Sequence, residues 1–186
     1  MALGHYPEAC FADKRVLVTG ASGFLGSHLC SKLVAGGAEL YAVSRVPRVS
    51  TEENLHWCQA NLEDLDTARR LISDVKPGVI FHLGGLVNGA PELKLVIPTF
   101  HSLLESTVNL LTVAAESGCQ RFLLMGSLEQ PDFAIVDACP TSPYGAAKWA
   151  ATAYGRMFHK LFELPVVIAH THMTYGPGQP TWKVIP

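Results

Sequence analysis

From residue 15 onward, short apolar runs alternate with longer stripes of apolar residues at helical spacing. Arg15–Thr19, Glu39–Ser44, Leu55–Ala60, Val79–Leu83, Arg121–Gly126 and Pro165–His170 have the length and composition of strands. Val79–Leu83 is nearly all apolar, the pattern of a strand covered on both faces. Between these runs, Ser27–Ala35, Glu63–Val75, Pro98–Ser117 and Ser142–Phe162 read as helices. Leu65, Ala68, Leu71, Ile72 and Val75 mark the buried face of one of them. Gly36-Gly37, Pro77-Gly78 and Gly118 stop the helices that precede them. Met1–Asp13 reads as a lead-in, and the polar, unpatterned stretch Arg45–Asn54 as a loop. Strands and helices in alternation predict an α/β fold: a doubly wound parallel sheet of order 3-2-1-4-5-6. Ligands of such a sheet bind at the carboxyl ends of the strands.

Composition narrows the picture. The chain has 186 residues, enough for one well-buried core and too few for two. A net charge of −2 with scattered basic residues argues against a nucleic-acid surface, and Trp57, Trp149 and Trp182 form no stacking pattern. No apolar run reaches the length of a membrane span, and no signal peptide is visible. The five cysteines have no C-x-x-C spacing and read as free thiols in a reducing compartment. A cytoplasmic protein is expected.

The first strand runs into RVLVTGASGFLG, with Gly20, Gly23 and Gly26 at three-residue spacing before a helix. Gly20 permits a tight turn, Gly23 lets the backbone approach a pyrophosphate, and Gly26 lets the helix pack closely on the sheet. The free N–H groups and dipole of the helix start favour an anion there. Strand, glycine turn and helix start together indicate a dinucleotide site in a Rossmann-type domain. At the end of the second strand, where a carboxylate commonly meets the adenosine ribose, stand Ser44 and Arg45, with Arg48 nearby. A guanidinium suits a 2′-phosphate, so NADP is expected rather than NAD; a solvated loop arginine is the alternative.

Tyr144 and Lys148 are four apart in a helix and share a face. A nearby ammonium is expected to lower the phenol pKa from about 10, suiting Tyr144 to exchange a proton with a sugar hydroxyl or ketone. Ser127, just after the fifth strand, can bond to the same oxygen.

TGASGFLG, Asn61-Leu62, His82-Leu83-Gly84-Gly85, Ser127, SPYGAAK and Tyr175-Gly176-Pro177-Gly178 together resemble the extended short-chain dehydrogenase/reductase family, in its sugar-nucleotide epimerase/dehydratase branch. The resemblance implies that Tyr144 is the acid/base, Lys148 orients the nicotinamide ribose, and Ser127 polarises the reacting bond. It also implies that Gly20, Gly23 and Gly26 cradle the pyrophosphate with Phe24 and Leu25 beside it. Asn61 and Leu62 would border the adenine, and Leu83, Gly84 and Gly85 would run along the cofactor. Pairing as a homodimer through the helices at Pro98–Ser117 and Ser142–Phe162 is implied as well. The domain would then span 14–178, with 179–186 opening a smaller substrate domain.

The chain departs from that family in several places. Met173 stands where an asparagine helps hold the substrate diphosphate, and Leu103 stands near an asparagine position of the long helix. The stretch from Ser127 to Tyr144 is short and lacks a V-Y-G segment. Glu129 falls where sugar 4,6-dehydratases carry their glutamate base, but Leu128 replaces the acid or serine beside it. His28 is expected to pack in the first helix and His82 to end a buried strand. His170 and His172 would share a strand face, read as packing or substrate contact rather than a metal site, and no metal is expected. The leading expectation is an NADP-dependent 4-ketoreductase of a nucleotide-linked sugar. A 4-epimerase or 4,6-dehydratase with recycled NAD(P), and a non-catalytic NADP-binding regulatory protein, are the alternatives.

Overall fold

A computed structural model describes residues 11–179. The first ten residues of the expected lead-in, Cys10, Trp182 and the expected domain start over 180–186 lie outside the described residues. The strands are β1 (Arg15–Thr19), β2 (Glu39–Ser44), β3 (Leu55–Gln59), β4 (Val79–His82), β5 (Arg121–Met125) and β6 (Val166–Ala169). The helices are α1 (Phe24–Ala35), α2 (Leu65–Val75), α3 (Val96–Thr99), α4 (Ser106–Glu116) and α5 (Pro143–Phe162). All strand pairs are parallel and the order is β3-β2-β1-β4-β5-β6, as the alternation predicted. The order in which strands are added reverses between β1 and β4, which opens a crevice at their carboxyl ends.

Side-chain alternation along β1 divides the core. Leu17 faces α2, α4 and α5 in a cluster that includes Ile72, Ile80, Leu110, Leu111 and Phe122. Val16 and Val18 face the other way, against Cys30 and Leu33 of α1. Because β1 is covered on both sides, its four residues from Val16 to Thr19 are all buried.

α2 begins at Leu65 rather than Glu63, and two other helices differ more from their expected bounds. α1 begins at Phe24 rather than Ser27, because Gly23 takes an extended conformation as N-cap directly after the turn. Ser27 then lies inside the first turn and donates to the Phe24 carbonyl. The helix expected over Pro98–Ser117 starts earlier and is not uniform: α3 is followed by a π-helical stretch, Phe100–Glu105, before α4. Hydrophobic spacing does not separate an α turn from a wider one, and Pro98 is tolerated in the first turn. The starts of α2 and α5 are set by side chains. Asp64 accepts from Thr67 N–H at 2.6 Å, and Ser142 accepts from Gly145 N–H at 3.0 Å with Pro143 at the first helical position.

Candidate active site

A cleft of about 930 Å³ lies at the carboxyl ends of the strands. All but one of the residues singled out from the sequence for cofactor or catalysis line it: Gly20, Gly23, Phe24, Leu25, Gly26, Ser44, Arg45, Asn61, Leu62, Leu83, Gly84, Gly85, Ser127, Tyr144 and Lys148. Arg48 does not; its guanidinium lies 5.3 Å from the Trp57 ring centre instead.

One end of the cleft is built from backbone. Gly20 has φ +66°, and a Cβ there would come within 2.8 Å of Gly84 N and the Leu83 carbonyl carbon. A Cβ on Gly26 would collide with the Gly20 carbonyl oxygen and sit 2.8 Å from Ala21 Cα. Only glycine at these positions lets the turn, the β4 loop and α1 converge. That convergence leaves a backbone-lined hollow at the start of α1, whose first N–H groups lack intrahelical partners. The dinucleotide site inferred from the spacing fits this hollow.

A hydrogen-bond chain beneath the hollow was not visible in the sequence. Gly84 N–H donates to Thr19 Oγ1 at 3.0 Å, and Thr19 Oγ1 lies 2.7 Å from His82 Nδ1. His82 Nε2 lies 2.9 Å from Thr107 Oγ1, which itself donates to the Leu103 carbonyl. Since Thr107 spends its proton on that carbonyl, it accepts from His82, so the imidazole carries its proton on Nε2. Thr19 then donates to Nδ1, and every group in the chain is satisfied. Burial, with a smaller contribution from Lys148, pushes the His82 pKa down to about 3, consistent with a neutral ring. His82 thus ends a buried strand as expected, and also ties β1 to α4.

The other end is built from side chains. α5 buries Tyr144 and Lys148, and the Lys148 ammonium lies 5.9 Å from the Tyr144 ring centre. Lys148 Nζ donates to the Met125 carbonyl at 2.8 Å, and burial brings its pKa down to about 8. Ser127 Oγ accepts from Glu129 N–H at 3.2 Å, which leaves its own proton free to point at the phenol.

The expected acidification of Tyr144 is corrected here. Its pKa is raised from 10, first by burial and further by the Glu129 carboxylate, while the Ser127 hydroxyl acts in the opposite direction. Sharing a helix face brought the two side chains together, but it did not reveal how much water the phenol loses.

The histidines divide differently from expectation. His28 is exposed, not packed; its Nε2 lies 2.8 Å from the Pro177 carbonyl oxygen and its ring stands edge-on to Phe24. β6 ends at Ala169, so His170 and His172 lie beyond the strand; His172 lines the cleft with Met173 and Tyr175. Among the described residues no three His, Cys, Asp or Glu side chains group as metal ligands. Among the same residues, no helix is long and apolar enough to cross a membrane. Cys30, Cys58, Cys119 and Cys139 are free.

The sequence of residues 16–186 matches the NAD dependent epimerase/dehydratase family. The chain belongs to that family. This epimerase/dehydratase-family chain is 27% identical to mouse dTDP-D-glucose 4,6-dehydratase over 198 residues, covering 97% of the chain and 56% of the relative. It is 29% identical to UDP-glucose 4-epimerase of Mycolicibacterium smegmatis over 184 residues, covering 89% and 58%. The chain therefore spans little more than half the length of these relatives. Its fold superposes on UDP-glucose 4-epimerase of Thermus thermophilus in complex with NAD with a TM-score of 0.77 at 23% identity, covering 89% of this chain and 57% of that one.

Proposed function

We propose that this chain is the dinucleotide-binding part of an oxidoreductase acting on a nucleotide-linked sugar. One observation carries the proposal: Ser127, Tyr144 and Lys148 converge at one end of a cleft whose other end is the glycine turn. Gly20, Gly23 and Gly26 would hold the pyrophosphate with Phe24 and Leu25 beside it. Asn61 and Leu62 would border the adenine, with Leu83, Gly84 and Gly85 along the nicotinamide half. A bound nicotinamide dinucleotide supplies or accepts a hydride. Tyr144 exchanges the proton with the sugar oxygen, Ser127 donates a hydrogen bond to that oxygen, and Lys148 places its ammonium beside the phenol.

The end of β2 favours NADP. Arg45 lines the cleft there and no carboxylate stands at Ser44 or Arg45 to repel a 2′-phosphate. Because NADPH commonly serves reduction, a 4-ketoreductase is the proposed reaction. Glu129 supports a second reading. Its carboxylate lines the same cleft and lies close enough to raise the phenol pKa, as a base removing a sugar C–H proton would. That reading is a 4,6-dehydratase, or a 4-epimerase, with recycled cofactor.

Stoichiometry separates the two: a ketoreductase consumes one NADPH per product, and a dehydratase or epimerase consumes none. A regulatory protein without turnover would keep its ligand response in Tyr144→Phe. A homodimer is proposed as well, supported by exposed Val96, Ile97 and Phe100 near the start of the α3–α4 segment and by Tyr154, Leu161 and Phe162 on α5.

A further inference from the structure

Gln130 lies three residues after Ser127, half-buried, in the loop that leaves β5. Its side-chain amide bridges two elements. Oε1 accepts from Ser127 N–H at 2.6 Å, and Nε2 donates to Thr152 Oγ1 at 2.7 Å. A backbone N–H can only donate, so the amide oxygen must face Ser127 and the NH₂ group must face Thr152. Thr152 is fully buried on α5, two helical turns beyond Tyr144 and on the same face. Gly126 makes room for this arrangement: a Cβ there would come within 2.8 Å of Gln130 Oε1 and 3.0 Å of His170 Nδ1.

The bridge meets a specific need. Residues 131–141 form neither helix nor strand; Phe133 packs against Trp149 and Arg156 of α5, but Leu128, beside Ser127, is exposed, so side-chain packing holds the loop further along than Ser127 itself. The Ser127 hydroxyl is held by Glu129 N–H, within the same loop, while its backbone is tied to the Tyr144 helix through Gln130.

We propose that Gln130 is a positioning residue, a clamp that registers Ser127 against Tyr144 by joining the Ser127 backbone to Thr152. The proposal rests on the function put forward above only in giving that registration a catalytic purpose. Releasing the clamp lets Ser127 drift relative to the phenol, and misplacement of about 1 Å can cost up to a hundredfold in rate.

The test uses the full-length protein with Gln130→Val, Thr152→Val and Thr152→Ser. Both valine variants should lose on the order of tenfold in kcat with the dinucleotide KM unchanged. Thr152→Ser, which keeps the hydroxyl, should behave as the parent. A second readout needs no turnover: ionisation of Tyr144 in dinucleotide-free protein, followed by tyrosinate absorbance with Tyr144→Phe as the blank. The charged groups facing the phenol, Lys148 on α5 and Glu129 on the loop, are untouched by these substitutions. Drift of the Ser127 hydroxyl away from the phenol removes its lowering influence, so the titration should move to higher pH in both valine variants and stay in place in Thr152→Ser. An unmoved titration in the valine variants, an equal kcat loss in Thr152→Ser, or failure of the near-isosteric Thr152→Val to fold would overturn the clamp. A shifted titration in a parent protein that turns over no nucleotide sugar would sink the catalytic reading and leave the clamp standing.

Discussion

The two ends of the cleft are made of different material. At the β1–α1 end the contacts are backbone to backbone, and what counts is the absence of side chains at Gly20 and Gly26. At the β5–α5 end the backbone only carries Ser127, Tyr144 and Lys148, and what counts is how much water each has lost. A site built from missing side chains is set by local geometry and tolerates varied neighbours. One built from buried polar groups depends on partners far away in sequence, as Lys148 depends on the Met125 carbonyl and Gln130 on Thr152.

Removing the phenol oxygen tests this contrast most severely. Tyr144→Phe should cut kcat by on the order of a hundredfold to ten-thousandfold with dinucleotide affinity unchanged. If affinity fell in step with rate, the two ends would not be separable. Gly26→Ala should do the reverse, weakening dinucleotide binding and lowering stability by about 1–3 kcal/mol, because the new methyl meets the Gly20 carbonyl. Calorimetric titration and thermal melts would read both quantities.

The buried imidazole between the two ends gives a pH signature. Its folded pKa of about 3 lies below its unfolded value, so the unfolded chain binds the extra proton first as acid is added. This contribution to stability is complete above pH 6.5 and is lost as pH falls towards 3, amounting to about 2 kcal/mol by pH 5. Denaturant midpoints measured from pH 7 to pH 4 should drop accordingly, and an H82N variant, weaker throughout, should give a flatter curve over that window.

Lys148 is shifted in the same direction by burial, but it acts at the alkaline end of the range. With a pKa of about 8 it loses its charge above that pH, before the phenol ionises. The alkaline limb of kcat/KM should fall with a midpoint near 8, whereas a limb near or above 10 would assign it to Tyr144 instead. The smallest effect belongs to the adenosine edge. Arg45→Ala should reduce the preference for NADP over NAD by roughly threefold to tenfold, since an exposed ion pair contributes little.

Legibility followed the same division. The glycine spacing, the strand order and the Tyr144–Lys148 face could be read from the sequence, because each depends on residues at most one or two turns apart or on simple alternation. The relay from Thr19 through His82 to Thr107 could not, since those residues are joined only once β1, β4 and α4 are packed. Nor could the direction of the Tyr144 shift, which depends on burial and on Glu129. The π-helical stretch escaped because its apolar residues keep a spacing that suits either kind of turn. Gln130 escaped because a single glutamine in a loop carries no periodic signal at all.

Gly85 and Leu103 share one volume. A Cβ on Gly85 would overlap the Leu103 side chain, which fills the place a larger residue would need. The bulk of Leu103 is therefore accommodated only because position 85 carries no side chain. Gly85 also holds φ +144°, so a side chain there would stay strained even with Leu103 trimmed, and the cleft beside Gly85 is more readily reshaped from the Leu103 side.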